Sequence, residues 1–122
     1  MKLTGKCKED FKEWMLVNNK ELVKFSEERY SEVIDMSQIF KYLTDSMQYG
    51  VLEDFFQVKG FYFDYCVGRN TGDETDILFM IDIKNKIDLK ILCTIEEKST
   101  PEARTKAIEK ANETYNYEKT KE

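Results

Sequence analysis

The sequence predicts an α+β fold in which a three-stranded antiparallel meander packs against helices. Three successive segments between residues 61 and 96 alternate apolar with polar side chains, which is the pattern of half-buried strands. Short polar loops join these segments, as in antiparallel hairpins. Segments with the apolar spacing of helices precede and follow them. The predicted order is a helix, an uncertain helical stretch, a helix, three strands and a closing helix.

The clearest helical segment runs from Ser99 to Asn116. Ser99 is a good N-cap, Glu102 stands three residues later as in a capping box, and Pro101 falls in the first turn. One face of this segment carries Ala103, Ala107, Ile108, Ala111 and Tyr115. Because most of these side chains are small, we expect the helix to lie close against the inner face of the sheet.

The first helix is predicted to begin after Thr4, which is a suitable N-cap, and to end at the Asn18-Asn19 pair. Its apolar positions are Cys7, Phe11, Trp14 and Met15. Residues 20–44 are apolar without a clean period. For that region we expect helical turns wrapped over the core.

A firmer helix is predicted from Asp45, with Gln48 three residues on as in a capping box. The expected apolar stripe is Met47, Val51, Leu52, Phe55 and Val58. Gly60 is placed to end the helix as a C-terminal cap. Gly50 lies inside the helix, where glycine weakens it, and we expect it to allow close packing against a neighbour.

Alternation assigns one side of each strand to an inner, buried face. The expected inner residues are Phe61, Phe63, Tyr65 and Val67, then Ile77, Phe79, Ile81 and Ile83, and finally Leu89, Ile91, Cys93 and Ile95. Charge decides between two registers of the second hairpin. Pairing Asp82 with Asp88 sets like charges opposite each other, so we expect a shift of two residues that pairs Asp82 with Lys90. The same shift pairs Lys84 with Asp88, Ile81 with Ile91, Ile77 with Ile95 and Asp76 with Glu96.

The outer face of the predicted sheet is not fully polar, because it carries Tyr62, Leu78, Met80 and Leu92 among charged residues. Two explanations are open. Either the first helix covers these side chains, or they form an exposed patch that binds something. They are the candidate interface of this chain.

Composition limits the classes of function. A chain of 122 residues with 41% hydrophobic content suits one α+β domain over residues 1–122, with a frayed tail at 117–122. The net charge of −5 disfavours broad binding to nucleic acid. No apolar run approaches the roughly 20 residues of a membrane span, and the first residues lack the apolar centre of a signal peptide, so we expect no membrane partner and a cytoplasmic location.

Cysteine and histidine content narrows the possible chemistry. The three cysteines show no CxxC spacing, and we expect them to be reduced and mostly buried. The chain has no histidine, which removes Ser-His and Cys-His catalysis and imidazole metal ligands. We expect no cofactor.

Three blocks of sequence stand out: LTGKCKEDFKEWM at 3–15, SMQYGVLEDFF at 46–56 and PEARTKAIEKANETYN at 101–116. Together they resemble a group of small proteins encoded by phages and prophages of gut bacteria. The blocks cover about a third of the chain, and none is a catalytic motif. The resemblance implies an accessory protein of a mobile element in a bacterial cytoplasm. It brings no activity and no functional residues.

One enzymatic alternative rests on carboxylates near a lysine. Nucleases with a restriction-endonuclease-like core hold Mg²⁺ between an Asp on one strand and the Glu of an ExK motif on the next. Here Asp76 opens the second strand, and Glu96 and Lys98 end the third, while Asp82 and Lys84 form a second candidate. The fourth strand of that core is missing, and the negative charge opposes DNA.

The sequence therefore favours a non-enzymatic accessory protein that acts by binding another protein or by self-association. The alternatives are a Mg²⁺-dependent nuclease and a nucleic-acid-binding module without cleavage.

Overall fold

The computed structural model describes residues 2–18, 40–69 and 77–121. Their elements are, in chain order, α1 (Gly5–Asn18), α2 (Asp45–Val58), β1 (Phe61–Arg69), β2 (Ile77–Asn85), β3 (Ile91–Glu97) and α3 (Thr100–Thr120). The predicted α+β fold with a β-meander is confirmed. The expectation for residues 20–44 lies outside the described residues up to position 39, and a short helical turn follows at 40–42.

The sheet is antiparallel in the order β1-β2-β3, so β2 is central and β1 and β3 form its edges. The inner-face residues that are fully buried are Phe61, Phe63, Ile81, Ile83 and Ile95. The inner-face side chains are more exposed toward the end of the sheet that lies farthest from the β2–β3 hairpin. There Tyr65, Val67 and Ile77 are 47%, 66% and 40% exposed, so their predicted burial is wrong.

Helix α3 covers the inner face with the predicted stripe, all of whose residues are buried. It contacts β2 and β3 and also packs against α1 and α2. Ser99 caps the helix, since its hydroxyl accepts a hydrogen bond from the N–H of Glu102 at 3.3 Å. The small Ala107 and Ala111 are completely buried, which is what a close approach to the sheet requires.

Helix α3 is longer than predicted. It continues to Thr120, whose hydroxyl donates to the carbonyl of Tyr117 at 2.7 Å, so the helix runs past the end predicted at Asn116. The ammonium groups of Lys119 and Lys121 lie over the rings of Tyr115 and Tyr117, 5.5 and 4.4 Å from their centroids. These cation–π contacts support the last turn.

Helix α2 starts at Asp45 as predicted, but its buried stripe differs from the expected one. Met47 and Val58 are 58% and 65% exposed, while the buried residues are Gln48, Tyr49, Leu52, Phe55 and Phe56. Placing Met47 and Val58 in the stripe was wrong because the buried side is set by the three large aromatic residues. Gly50 is exposed, and nothing lies within 4 Å of where its Cβ would stand, so the expected close packing is also wrong.

The N-cap of α2 is Thr44, which stands one residue before the predicted Asp45. The hydroxyl of Thr44 accepts from the N–H of Met47 at 3.3 Å, whereas the side chain of Gln48 donates to the carbonyls of Phe40 and Leu43. Gly60 follows the helix with φ +100°, as expected of a residue that ends a helix in the left-handed region.

Helix α1 buries its predicted residues in the same core as the sheet. Cys7, Phe11 and Met15 are buried, and the rings of Phe11 and Phe55 meet edge to face at 5.3 Å between centroids. Helix α1 therefore belongs to the inner side of the molecule. The alternative in which it covers the outer face of the sheet is wrong.

The start of α1 is held by α3 rather than by its own N-cap. The backbone N–H of Cys7 donates to Oδ1 of Asn116 at 2.8 Å, and Nδ2 of Asn116 donates to the carbonyl of Thr4 at 3.0 Å. Thr4 precedes the helix as predicted, but its hydroxyl accepts from Asn112 instead of from the helix. Gly5 has φ +58°, and a Cβ there would stand 3.2 Å from Nδ2 of Asn116.

The predicted register of the second hairpin is wrong by four residues. Ile81 lies opposite Ile95 and Asp82 opposite Thr94, with a bulge between Ile83 and Lys84. The turn explains the shift. Oδ1 of Asn85 accepts from the N–H of Ile87 at 2.9 Å, and Leu89 adopts φ +59°, so residues expected to start β3 belong to the turn.

Candidate functional site

The outer face of the sheet is arranged in rows of residues that lie opposite one another. Moving from the β2–β3 hairpin toward the far end, the rows are Tyr62 with Lys84, then Asp64 with Asp82 and Thr94, then Cys66 with Met80 and Glu96, and last Gly68 with Leu78. Of the four candidate interface residues, Tyr62 and Leu92 are 41% and 39% exposed, and Leu78 and Met80 are half-buried. They are not contiguous, because the row of Asp64 separates Tyr62 from Met80.

The row that separates them consists of the polar residues Asp64, Asp82 and Thr94, and its carboxylates have partners within the protein. The ammonium of Lys84 lies 2.8 Å from Oδ2 of Asp64, and the hydroxyl of Thr94 donates to Oδ1 of Asp82 at 2.8 Å. These contacts offset the repulsion of two carboxylates that face each other across the strands. The hydrogen bond to Asp64 also raises the pKa of Lys84, so this side chain is a permanent cation.

The far end of the outer face carries the apolar side chains of Met80 and Leu78. Met80 lies between Cys66 and Glu96, and Leu78 lies opposite Gly68. A Cβ on Gly68 would stand 3.5 Å from the sulfur of Met80, so the half-buried Met80 side chain lies beside the backbone of Gly68. Cys66 is exposed, which corrects the expectation that the cysteines are mostly buried.

The other two cysteines are less accessible. Cys7 lies in the core, and burial raises the pKa of its thiol to about 12, which keeps it protonated and unreactive. Cys93 is half-buried on β3. All three are free thiols.

The hairpin end of the outer face extends into an apolar tip that sequence reasoning missed. Ile87 is 93% exposed, Leu89 58% and Ile91 54%. Alternation predicted Leu89 and Ile91 to be inner-face residues, and only the turn geometry places them outside. The signal in the sequence was the loop itself, in which aliphatic residues alternate with Lys86, Asp88 and Lys90. We name Ile87, Leu89 and Ile91 the hairpin tip.

Of the three residues first proposed for a nuclease site, the structure describes Glu96 and Lys98. Asp76 lies outside the described residues. Glu96 lies opposite Met80, so its predicted position within a carboxylate pair is wrong. Glu97 instead forms an ion pair with Lys106 at 2.5 Å, and Lys98 is exposed beyond the strand. Within residues 2–18, 40–69 and 77–121, no three His, Cys, Asp or Glu side chains are grouped so that they could hold a metal ion.

The structure places a further carboxylate, that of Asp64, beside the second nuclease candidate, Asp82 and Lys84. Asp82 lies directly opposite Asp64, and Lys84 binds Asp64 from the same outer face. Two carboxylates and a lysine therefore share one surface at the centre of the sheet. Both carboxylates are already engaged, one by Lys84 and one by Thr94.

A tyrosine cluster joins β1 to α2 on the inner side. The hydroxyls of Tyr49 and Tyr65 are hydrogen bonded to each other, and Tyr65 donates to Oε2 of Glu53 at 3.0 Å. The guanidinium of Arg104 lies over the Tyr49 ring at 5.2 Å. Burial raises the pKa of Tyr49 to about 12 and that of Tyr65 still further, so neither acts as a base. The cluster ties β1 to α2 and, through Arg104, to α3.

None of the helices in the part of the chain that the structure describes has the length and apolar character needed to cross a bilayer. Comparison of the chain with protein-family models, with curated proteins and with solved structures finds no match.

Proposed function

We propose that this chain is a non-enzymatic accessory protein that binds another protein through the outer face of its sheet. The observation that carries the proposal is the one-sided packing of the residues that the structure describes. The buried side chains of α1, α2 and α3 all join the core on the inner face. Apolar side chains nevertheless remain on the outer face, on both sides of the row of Asp64 and Asp82.

The chemistry of this surface suits a protein partner. Aromatic and methionine side chains are enriched in protein interfaces, and Tyr62 and Met80 stand on opposite sides of the row of Asp64 and Asp82. The ion pair between Lys84 and Asp64 lies between them and offers a fixed polar contact. A partner that covers both ends would bury apolar area around a polar centre.

We further propose that the protein serves a phage or prophage in a bacterial cytoplasm, where its partner is a host protein. The support for this is the resemblance of the three sequence blocks. The net charge of −5 favours a protein partner over nucleic acid.

The test is affinity capture from a bacterial lysate, comparing the wild-type chain with outer-face variants. Met80→Lys and Leu78→Glu place charges on the apolar far end, and Met47→Lys is the matched control on an exposed position of α2. We expect a defined set of captured proteins that Met80→Lys and Leu78→Glu lose and Met47→Lys keeps. Capture that all variants share equally, or no specific capture, contradicts the proposal. Thermal unfolding of each variant shows that it is folded.

A second candidate function is Mg²⁺-dependent cleavage of nucleic acid, favoured by the position of Asp64 opposite Asp82 beside Lys84. In such a site both carboxylates would hold the metal and the lysine would orient the attacking water. The test is incubation of DNA and RNA with the protein and Mg²⁺. Cleavage that EDTA and Asp82→Ala both abolish supports this candidate, and an absence of cleavage removes it.

A further inference from the structure

The free edge of β1 is the longest unprotected strand edge among the described residues. β1 has nine residues and, among the described residues, pairs with β2 alone, so every second backbone N–H and C=O along its other side points away from the described sheet. Several exposed side chains flank this edge, namely Tyr62, Tyr65, Cys66 and Val67. A long apolar edge of this kind is a template for pairing with another strand.

The opposite edge of the same sheet shows how such pairing is blocked. β3 has seven residues, a bulge interrupts its pairing with β2, and it ends in Glu96 and Glu97. Short length, bulges and charged side chains are the devices by which edge strands avoid other chains. Over residues 61–68, β1 has no bulge in its pairing with β2 and one charged residue, Asp64. The charge of Asp64 is matched by that of Lys84.

The sequence of β1 fits a second copy of itself. When β1 pairs antiparallel with β1 of a second copy and both outer faces stay on the same side, a two-fold axis relates the copies. One residue of β1 then lies on that axis, opposite the same residue of the other copy. An axis at Asp64 sets two carboxylates opposite each other and is disfavoured. An axis at Cys66 pairs Tyr65 with Val67, both of which are exposed, and pairs Asp64 with the small Gly68.

We propose that β1 pairs antiparallel with β1 of a second copy of this chain about a two-fold axis at Cys66, giving one six-stranded sheet. The partner is a second copy because the edge is self-complementary and its one internal charge is neutralised within each copy. This goes beyond the proposed binding of another protein, since the pairing uses the strand edge and leaves the outer face open. The two copies each carry a net charge of −5, so added salt should strengthen the pairing by screening their repulsion.

The test is sedimentation equilibrium of the full chain at high micromolar concentration, at low and at moderate salt. We expect the wild-type mass to approach twice the monomer mass, and more so at the higher salt. Val67→Lys should remain a monomer, because it adds two positive charges beside the axis. Val17→Lys is the matched control, since Val17 and Val67 are both 66% exposed, and it should still dimerise.

Cross-linking tests the register in the same samples. With the axis at Cys66 the two thiols face each other, so diamide should oxidise them to one intermolecular disulfide while diamide itself takes up the two hydrogens. Cys66→Ser should abolish the cross-link and keep the dimer. A wild-type monomer at all concentrations, or a dimer that Val67→Lys leaves intact, overturns the proposal. A dimer without the cross-link overturns the axis at Cys66.

Discussion

Thr4 and Asn112 exchange two hydrogen bonds across the whole length of the chain. The backbone N–H of Thr4 donates to Oδ1 of Asn112 at 3.0 Å, and Nδ2 of Asn112 donates to the Thr4 hydroxyl at 2.9 Å. Asn112 is only 7% exposed, and Asn116 adds the cap of α1 one turn later. The first and last blocks of the family resemblance therefore contact each other, and they do so as a structural clasp between α1 and α3.

Removing the clasp should destabilise the fold. Asn112→Ala takes away one acceptor and one donor, and it leaves the N–H of Thr4 without its partner. We expect a loss of about 2 to 3 kcal/mol in the free energy of unfolding, measured by urea denaturation. Glu113→Ala, at the next and exposed position of α3, is the control and should change stability by less than about 0.5 kcal/mol. Equal stabilities for the two variants would refute the structural role of Asn112.

Replacing Gly5 and Gly50 with alanine should change the free energy of unfolding in opposite directions. At Gly5, φ +58° and the contact with Asn116 make a Cβ unfavourable, so Gly5→Ala should cost about 1 to 2 kcal/mol. At Gly50 the helix is regular and the space around it is open, so Gly50→Ala should stabilise by about 0.5 to 1 kcal/mol. Thermal or urea unfolding of both variants gives the answer. Stabilisation by Gly5→Ala would contradict the clasp geometry.

Acid should weaken the contact between α1 and α3 through Asp10. Burial acts to raise the pKa of this carboxyl, but hydrogen bonds from Tyr115 and Lys6 outweigh it and hold the pKa below its ordinary value. Because the folded-state pKa is the lower one, the stabilisation is present at neutral pH. It is lost as the pH falls from the unfolded-state pKa of about 3.9 through the folded-state value.

We therefore expect Asp10→Asn to be less stable than wild type at neutral pH and the difference to shrink on acidification. Urea denaturation of both proteins near neutral pH and at about pH 3 measures it. Glu9→Gln is the matched control, because Glu9 is exposed and its contact with Lys6 is longer, at 3.8 Å. A difference between Asp10→Asn and wild type that grows toward acid would reverse the sign argued here.

The sequence was sufficient for the elements whose pattern is local. Alternation located the three strands, and the alanine stripe of α3 and the Cys7, Phe11 and Met15 stripe of α1 were identified by helical spacing. Gly60 and Ser99 were recognised because caps use particular residues at particular positions. These predictions needed only neighbours in the chain.

Features that depend on tertiary contacts or on unusual backbone geometry were missed. The cap of α1 comes from Asn116, more than a hundred residues away, so spacing could not show it. The register failed because it was argued from charge pairs, whereas a side-chain hydrogen bond of Asn85 and a positive φ at Leu89 decide the turn. A bulky aliphatic residue rarely adopts a positive φ, and nothing in the sequence marked it.

The same limit applied to the candidate site. The four outer-face residues were placed on the correct strands, but the polar row that divides them follows from the pairing of Asp64 with Asp82. The exposure of the hairpin tip follows from the turn. Both depend on register, which alternation leaves open.

The central claim is that the three described helices cover one face of the sheet and leave the other face open. Solvent paramagnetic relaxation of methyl signals in NMR spectra, with a soluble gadolinium chelate, tests it most directly. We expect strong relaxation for Leu92 and Ile87 and little for Ile81 and Ile83, which are 2% and 1% exposed. Equal protection of Leu92 and Ile81 would mean that both faces are covered, and the proposed interface would then not exist.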